Sequence, residues 1–296
     1  DAGAQIVVLL SHNGFDVDQK LATVVTGIDV ILTGHTHDAV PQALKINKTL
    51  LLSSGSHGKY LGRIDLDVKG GEVVDYSSTL IPVFSDVITP DPEMSAHIDS
   101  LRAPYEAECN RVIGSTSGLL YRRGNFNGTW DDLICQGIME ERDVEISLSP
   151  GFRWGTTLLP GQDITIEDLY TQTSMSYPNV YRTEMTGAQI KTILEDVCDN
   201  LFNIDPFYQQ GGDMVRVGGM NYTCAPKASM GNRISDLTMT KTGEKLDADR
   251  KYVVGGWASV NENVEGPAIY DLMEGYISRK KSIDLPAQQA VKVIGL

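Results

Sequence analysis

The sequence predicts an α/β chain, and three observations carry that reading. Two apolar β-runs, at 6–10 and 28–32, flank a helical spacer. Each run ends abruptly in a histidine loop, Ser11-His12-Asn13-Gly14 after the first and Gly34-His35-Thr36-His37 after the second. Farther along, Thr186-Gly187-Ala188-Gln189 is a capping box ahead of an amphipathic run. Open α/β sheets place ligands outside the carboxyl ends of their strands, so neighbouring strands that deliver imidazoles to that edge make a metal site.

The elements follow in order. Strands are expected near 5–10, 29–32, 49–53, 62–68 and 72–81, the last two joined as a hairpin by Lys69-Gly70-Gly71-Glu72. The helix between the two histidine loops is expected to turn Leu21, Val24 and Val25 toward the sheet. Asp91-Pro92-Glu93 starts another helix, with Asp91 as N-cap and Pro92 in the first turn. It puts Met94, Ile98, Leu101 and Tyr105 on one face, and Pro104 kinks or ends it. The chain thus divides into residues 1–90, a linker helix across 91–108, and a second domain over 109–296. In that domain a capping box starts at Thr165 with Asp168, and the Thr186 helix is expected to bury Ile190, Ile193, Leu194 and Val197. The glycine-rich segment 209–219 reads as a loop entering a strand.

Three of the five histidines lie in the two strand-end loops. A lone histidine is more often structural or simply exposed, and His57 and His97 take that reading. Imidazoles spaced i, i+2 need partners for their ring nitrogens, which a metal supplies. Such ligands suit zinc, manganese, iron or nickel. On extended backbone His35 and His37 would face one side. In a tight loop they can splay, each toward a different ion.

Composition narrows the classes. With 25 basic and 39 acidic residues the net charge is −14, which argues against nucleic acid as a partner. No apolar run approaches the ~18 residues of a membrane-spanning helix. Cys109, Cys135, Cys198 and Cys224 are widely spaced and form no metal or redox motif. Cys198 with Cys224 is the first pairing to consider if the compartment is oxidising, against free buried thiols.

The SHNG and GHTH loops resemble the last two metal motifs of the calcineurin-like metallophosphoesterases, and LLSSGSHGKYLGRIDL at 51–66 resembles the passage closing the metal domain in the 5′-nucleotidase branch. With SPGFRWG at 149–155 and GWASVNENVEG at 256–266, the chain is most similar to the SoxB thiosulfohydrolases within that branch. The resemblance implies the C-terminal part of a metallophosphoesterase αββα sandwich followed by an α+β 5′-nucleotidase-type C-terminal substrate domain. It also implies that His12 and His35 share one ion and His37 serves a second. The family's Asp-x-His loop, bridging Asp and Asn-His pair, which includes the catalytic histidine, are not in this sequence. It therefore reads as the C-terminal part of a longer protein, inactive as a fragment.

The resemblance further implies two divalent ions, manganese by family, and a periplasmic enzyme. Its substrate would be a cysteine S-sulfonate on a flexible peptide of the sulfur carrier protein SoxYZ. Arg153 stands where the branch carries a phosphate-contacting arginine, and a guanidinium fork suits any tetrahedral oxyanion. Tyr177, Asp213 and Arg216 are further substrate-side candidates, and Trp154 either walls the pocket or belongs to the core. The aromatic loop with which nucleotidases stack the base is replaced by WASVNENVEG. A 5′-nucleotidase or related phosphoesterase, and a non-catalytic carrier-binding module, remain the alternatives.

Overall fold

The computed structural model describes residues 3–122, 124–152, 154–174, 177–258, 264–285 and 289–295. The chain forms two compact units, one of residues 1–99 with 203–211, the other of residues 100–202 with 212–296. The first unit thus takes up a short segment from far along the chain.

In the first unit, β1 (Val8–Ser11), β2 (Val30–Thr33) and β4 (Thr49–Ser53) run parallel, with β3 (Leu44–Ile46) antiparallel at the edge. In register, Ser11 stands beside Thr33 and Thr33 beside Ser53, so the loops after β1, β2 and β4 leave one common edge. The β4 run TLLLS is buried throughout, as a covered parallel strand must be. Helix α1 (Phe15–Val24) packs Ala22 and Leu21 onto Ile31 and Leu51. Val24 and Val25, expected to face the sheet, are instead 60% and 39% exposed. The helix sets its inward stripe through Asp18 and Ala22, one turn apart, which turns its C-terminal valines outward. Strands β5 (Tyr60–Lys69) and β6 (Glu72–Pro82) form the expected hairpin. Helix α2 (Pro92–Arg102) is capped by Asp91, whose carboxylate accepts from the Met94 amide at 2.8 Å, and it ends before Pro104. Its apolar residues Met94, Ile98 and Leu101 are all exposed.

The second unit opens with α3 (Glu106–Cys109), β7 (Val112–Thr116), α4 (Thr129–Arg142), β8 (Ile146–Gly151) and β9 (Asp163–Thr165). It continues through α5 (Ile166–Thr173), β10 (Tyr181–Thr186), α6 (Gly187–Phe202), β11 (Asp213–Gly218), β12 (Met220–Cys224) and β13 (Ile234–Met239). It closes with β14 (Lys251–Gly256), α7 (Ile269–Lys280), β15 (Ser282–Ile283) and β16 (Val291–Val293). Its central sheet has the order β10-β14-β8-β11. One core joins Trp130, Leu133, Ile134 and Ile138 of α4 to Ile269, Met273 and Ile277 of α7. A second joins Ile190, Leu194 and Cys198 of α6 to Ile146, Leu148 and Val254 of the sheet. Both capping boxes form: Thr165 with Asp168, and Thr186 with Gln189. Ile190 and Leu194 are buried as expected, while Ile193 and Val197 are half-buried. Among the described residues no helix is long and apolar enough to cross a membrane.

Candidate functional site

The strand edge of the first unit collects four imidazoles. His12 follows β1, His35 and His37 follow β2, and His57 follows β4. His12 and His35 stand together, ring centroids 5.1 Å apart and edge to face. His37 sits edge to face with His57 instead, at 5.7 Å. His35, His37 and His57 all hold left-handed backbone, with φ of 76°, 60° and 58°. Such strain in non-glycine residues survives only where the surroundings over-determine it, and it gathers at functional sites. It also explains why His35 and His37, two residues apart, serve different neighbours: the loop splays them.

Asp18 ties these loops to the sheet. Its carboxylate is fully buried and accepts from Ser11 Oγ at 2.8 Å, from Asn13 Nδ2 at 3.2 Å and from Thr33 Oγ1. Thr36 Oγ1, inside the second histidine loop, accepts from the Phe15 amide at 3.1 Å and so caps the first turn of α1. Gly14 makes this approach possible: its φ is 105°, and a Cβ there would stand only 2.9 Å from the Thr36 methyl.

Imidazoles at one strand edge are a donor set that first-row divalent metals accept. Among the described residues, no three His, Cys, Asp or Glu side chains gather closely enough to enclose an ion. Within the edge His12 and His35 stand as a pair, and His37 stands apart beside His57. His57, read in the sequence as structural or exposed, stands at the same edge beside His37. The signal available was that its loop follows the third parallel strand at the same edge.

In the second unit, three motifs singled out in the sequence meet around a buried ion pair. Arg122 and Asp131 are 3% and 0% exposed, with Arg122 Nε donating to Asp131 Oδ1 at 3.0 Å. Burial pulls the Arg122 pKa down and pushes the Asp131 pKa up, each opposed by the other's charge. The Arg122 guanidinium lies 5.3 Å from the Phe152 ring, in SPGFRWG, and 5.8 Å from the Trp257 ring, in GWASVNENVEG. Arg216 donates to the other Asp131 oxygen at 3.3 Å, to Asp213 at 3.4 Å and to the Gly124 carbonyl at 2.5 Å. Asp213 and Arg216 are thus buried in this network. Tyr177 is 43% exposed. Trp154 stacks on Phe152 at 3.9 Å. Arg153 lies outside the described residues, as do residues 259–263 of the C-terminal motif. Arg122 and Asp131 were not anticipated: they are single charges in unremarkable local sequence.

The sulfate thiohydrolase SoxB of Thermus thermophilus, solved with glycerol, superposes with a TM-score of 0.93 at 36% identity, over 99% of this chain and 55% of that one. A 5′-nucleotidase precursor, also from Thermus thermophilus, shares the fold, with a TM-score of 0.84 at 18% identity over 99% of this chain and 65% of that one. The trifunctional nucleotide phosphoesterase YfkN of Bacillus subtilis is 26% identical over 89% of this chain and 19% of its own length. The bovine 5′-nucleotidase is 25% identical over 37% of this chain and 22% of its own length. The chain therefore spans about half of the SoxB structure and a fifth of these curated relatives. Residues 112–274, more than half of the chain, match the family model of the 5′-nucleotidase C-terminal domain, and the chain belongs to that 5′-nucleotidase family.

Proposed function

We propose that this chain serves a metal-dependent hydrolase of the SoxB type. Its substrate is a cysteine S-sulfonate carried on the sulfur carrier protein SoxYZ in the periplasm. The observation that carries the reading is the fate of Trp257. This aromatic residue of the C-terminal motif is 3% exposed, packs edge-on against Phe152 and donates its indole N–H to Ser149 Oγ at 2.9 Å. It is committed to the protein's own core and offers no face to a base, whose stacking contributes about 1–3 kcal/mol by analogy with nucleic-acid platforms. Similarity to SoxB over nearly the whole chain supports the same reading.

His12 and His35 would hold one divalent ion and His37 would serve a second, both manganese by family resemblance. When bound, such ions supply a water of lowered pKa and offset the charge that develops on the transferred group. The chain's part is to orient. Asp18 fixes the histidine loops, Arg153 pairs its guanidinium fork with the sulfonate oxygens, and Tyr177 borders the substrate. Asp213 and Arg216 brace Arg122 through Asp131. In the net reaction water adds to the terminal sulfur and the S–S bond breaks. The carrier cysteine leaves as the thiol, and sulfate is released with a proton.

A nucleotide phosphoesterase is the second reading, favoured by the names of YfkN and the bovine 5′-nucleotidase. The test is a side-by-side assay of the full-length manganese-loaded protein on sulfonated SoxYZ and on AMP. Sulfate release from the carrier should be the faster reaction. Faster phosphate release from AMP hands the case to the nucleotidases.

A further inference from the structure

Residues 203–211 sit between α6 and β11 in sequence but belong to the first unit. Several contacts fasten them there. Lys20 of α1 pairs with the Asp205 carboxylate and lies 4.4 Å over the Phe207 ring. Asp205 in turn accepts from the Phe207 amide at 3.0 Å, and Gln209 Nε2 donates to the Asn203 carbonyl at 2.7 Å. The segment ends on the second histidine loop, where the Gln210 carbonyl oxygen lies 2.7 Å from His35 Nε2. Gly211 follows with φ of 71°, and a Cβ there would stand 2.6 Å from the same nitrogen.

A carbonyl oxygen only accepts, so His35 Nε2 carries the proton and, in the neutral ring, Nδ1 carries the lone pair. Metal-bound histidines characteristically donate their other ring N–H to a carbonyl or carboxylate, which fixes the tautomer and the ring plane. We infer that the Gln210 backbone carbonyl is the positioning partner of His35, committing it to take its metal ion through Nδ1. This rests on the metal reading of the histidine edge and adds what that reading lacks. The partner is backbone, is 175 residues away in sequence, and is held in place by Lys20 rather than by any metal ligand. Gly211 is required because the chain passes too close to the ring for any side chain.

The experiment uses the full-length protein with ¹⁵N-labelled histidine and ¹¹³Cd²⁺ as the probe, alongside calorimetric titration with Mn²⁺. His35 should show ¹¹³Cd coupling to Nδ1 and a proton on Nε2. Gly211→Ala, which pushes the carbonyl off the ring, should weaken one Mn²⁺ site about 10- to 100-fold and leave the other unchanged. Lys20→Met, which unfastens the segment without touching the edge, should weaken the same site by a smaller factor. Coordination through His35 Nε2, or unchanged Mn²⁺ affinity in a folded Gly211→Ala protein, overturns the inference while the metal reading stands. A wild-type protein that takes up neither ion overturns both.

Discussion

The Asp18 carboxylate accepts a hydrogen bond from Ser11 Oγ at 2.8 Å, which fastens the first turn of α1 to the end of β1, one residue before His12. The same carboxylate binds Asn13 and Thr33, so one buried charge holds the bases of both histidine loops.

Removing that charge should loosen both loops together. Asp18→Ala removes the fully buried acceptor of three donors, of which Ser11 and Thr33 are half-buried and Asn13 is exposed. The loss should therefore sit near the lower end of the about 1–3 kcal/mol that a buried donor left without its partner costs. Asp18→Asn keeps the shape but replaces an acceptor oxygen by a donor, so it should rescue stability only in part. Denaturant unfolding of the two variants checks this. Wild-type stability in Asp18→Ala would mean that the loops are held by something else.

Much of the fold was legible because its signals are local. The apolar runs, the Lys69–Glu72 hairpin and the capping boxes at Thr165 and Thr186 each lie within a few residues and formed as read. The register of α1 was not legible. Choosing Val24 and Val25 for its buried face follows hydrophobicity, whereas the structure buries Asp18, and an acidic residue early in a helix ordinarily reads as an exposed partner of the helix dipole. The histidine loops announced themselves by composition. Their supports did not: Gln210 acts through its backbone, and Arg122 meets Phe152 and Trp257 only through tertiary packing. Such long-range pairs leave no periodic or motif signal in a single sequence.

The imidazoles should divide by ion. In the full-length protein His12→Ala or His35→Ala should each lose the same one of two bound metal ions, and His37→Ala should lose the other. Metal analysis after exhaustive dialysis reads this directly, and a chelator should remove activity that added Mn²⁺ restores. Loss of the same single ion in all three variants would reject the division, which the family resemblance implies and with which the His12–His35 and His37–His57 pairings agree.

Acid should release one tie in the second unit. Arg102 forks onto Glu167, with two bonds of 2.8 Å. The Arg102 hydrogen bond and charge hold the Glu167 carboxyl below its ordinary value of 4.5. A carboxylate with a depressed folded pKa adds stability that is fully present above its unfolded value and is lost as pH falls through the folded one. Arg102→Ala should therefore be slightly less stable than wild type above about pH 4.5 and indistinguishable from it in stronger acid. The effect is small because both side chains are largely exposed. A difference that persists at low pH would place the role of Arg102 in packing.

The Cys198 and Cys224 thiols lie 3.6 Å apart, both fully buried, on either side of the segment that carries Gln210. The hydrogen bond it shares with Cys224, together with burial, raises the Cys198 pKa, and burial pushes Cys135 up to about 12. Protein matured in an oxidising compartment should carry a Cys198–Cys224 cross-link, formed by exchange with an oxidant disulfide during folding. Alkylating the unreduced, unfolded chain should then label Cys109 and Cys135 alone. The cross-link closes a loop that should add about 3–4 kcal/mol by the chain-entropy model. Four labelled cysteines in that sample would leave the pair as buried thiols.

Arg153 offers the sharpest test of substrate chemistry. Its neighbour Phe152 packs beneath the Arg122 guanidinium, whose partner Asp131 also binds Arg216. A guanidinium can fork onto two oxygens of a sulfonate. Arg153→Ala should lower sulfate release from the sulfonated carrier by about 1.5–3 kcal/mol, roughly 10- to 150-fold. Arg153→Lys should recover only part, since a point charge cannot reproduce the fork. Asp131→Asn should act in the same direction but more weakly, by loosening Arg122 rather than removing a substrate contact. If Arg153→Lys matches wild type, the arginine is a nonspecific positive charge. If Asp131→Asn costs more than Arg153→Ala in a protein of unchanged stability, the buried pair and not Arg153 is the group that governs the sulfonate.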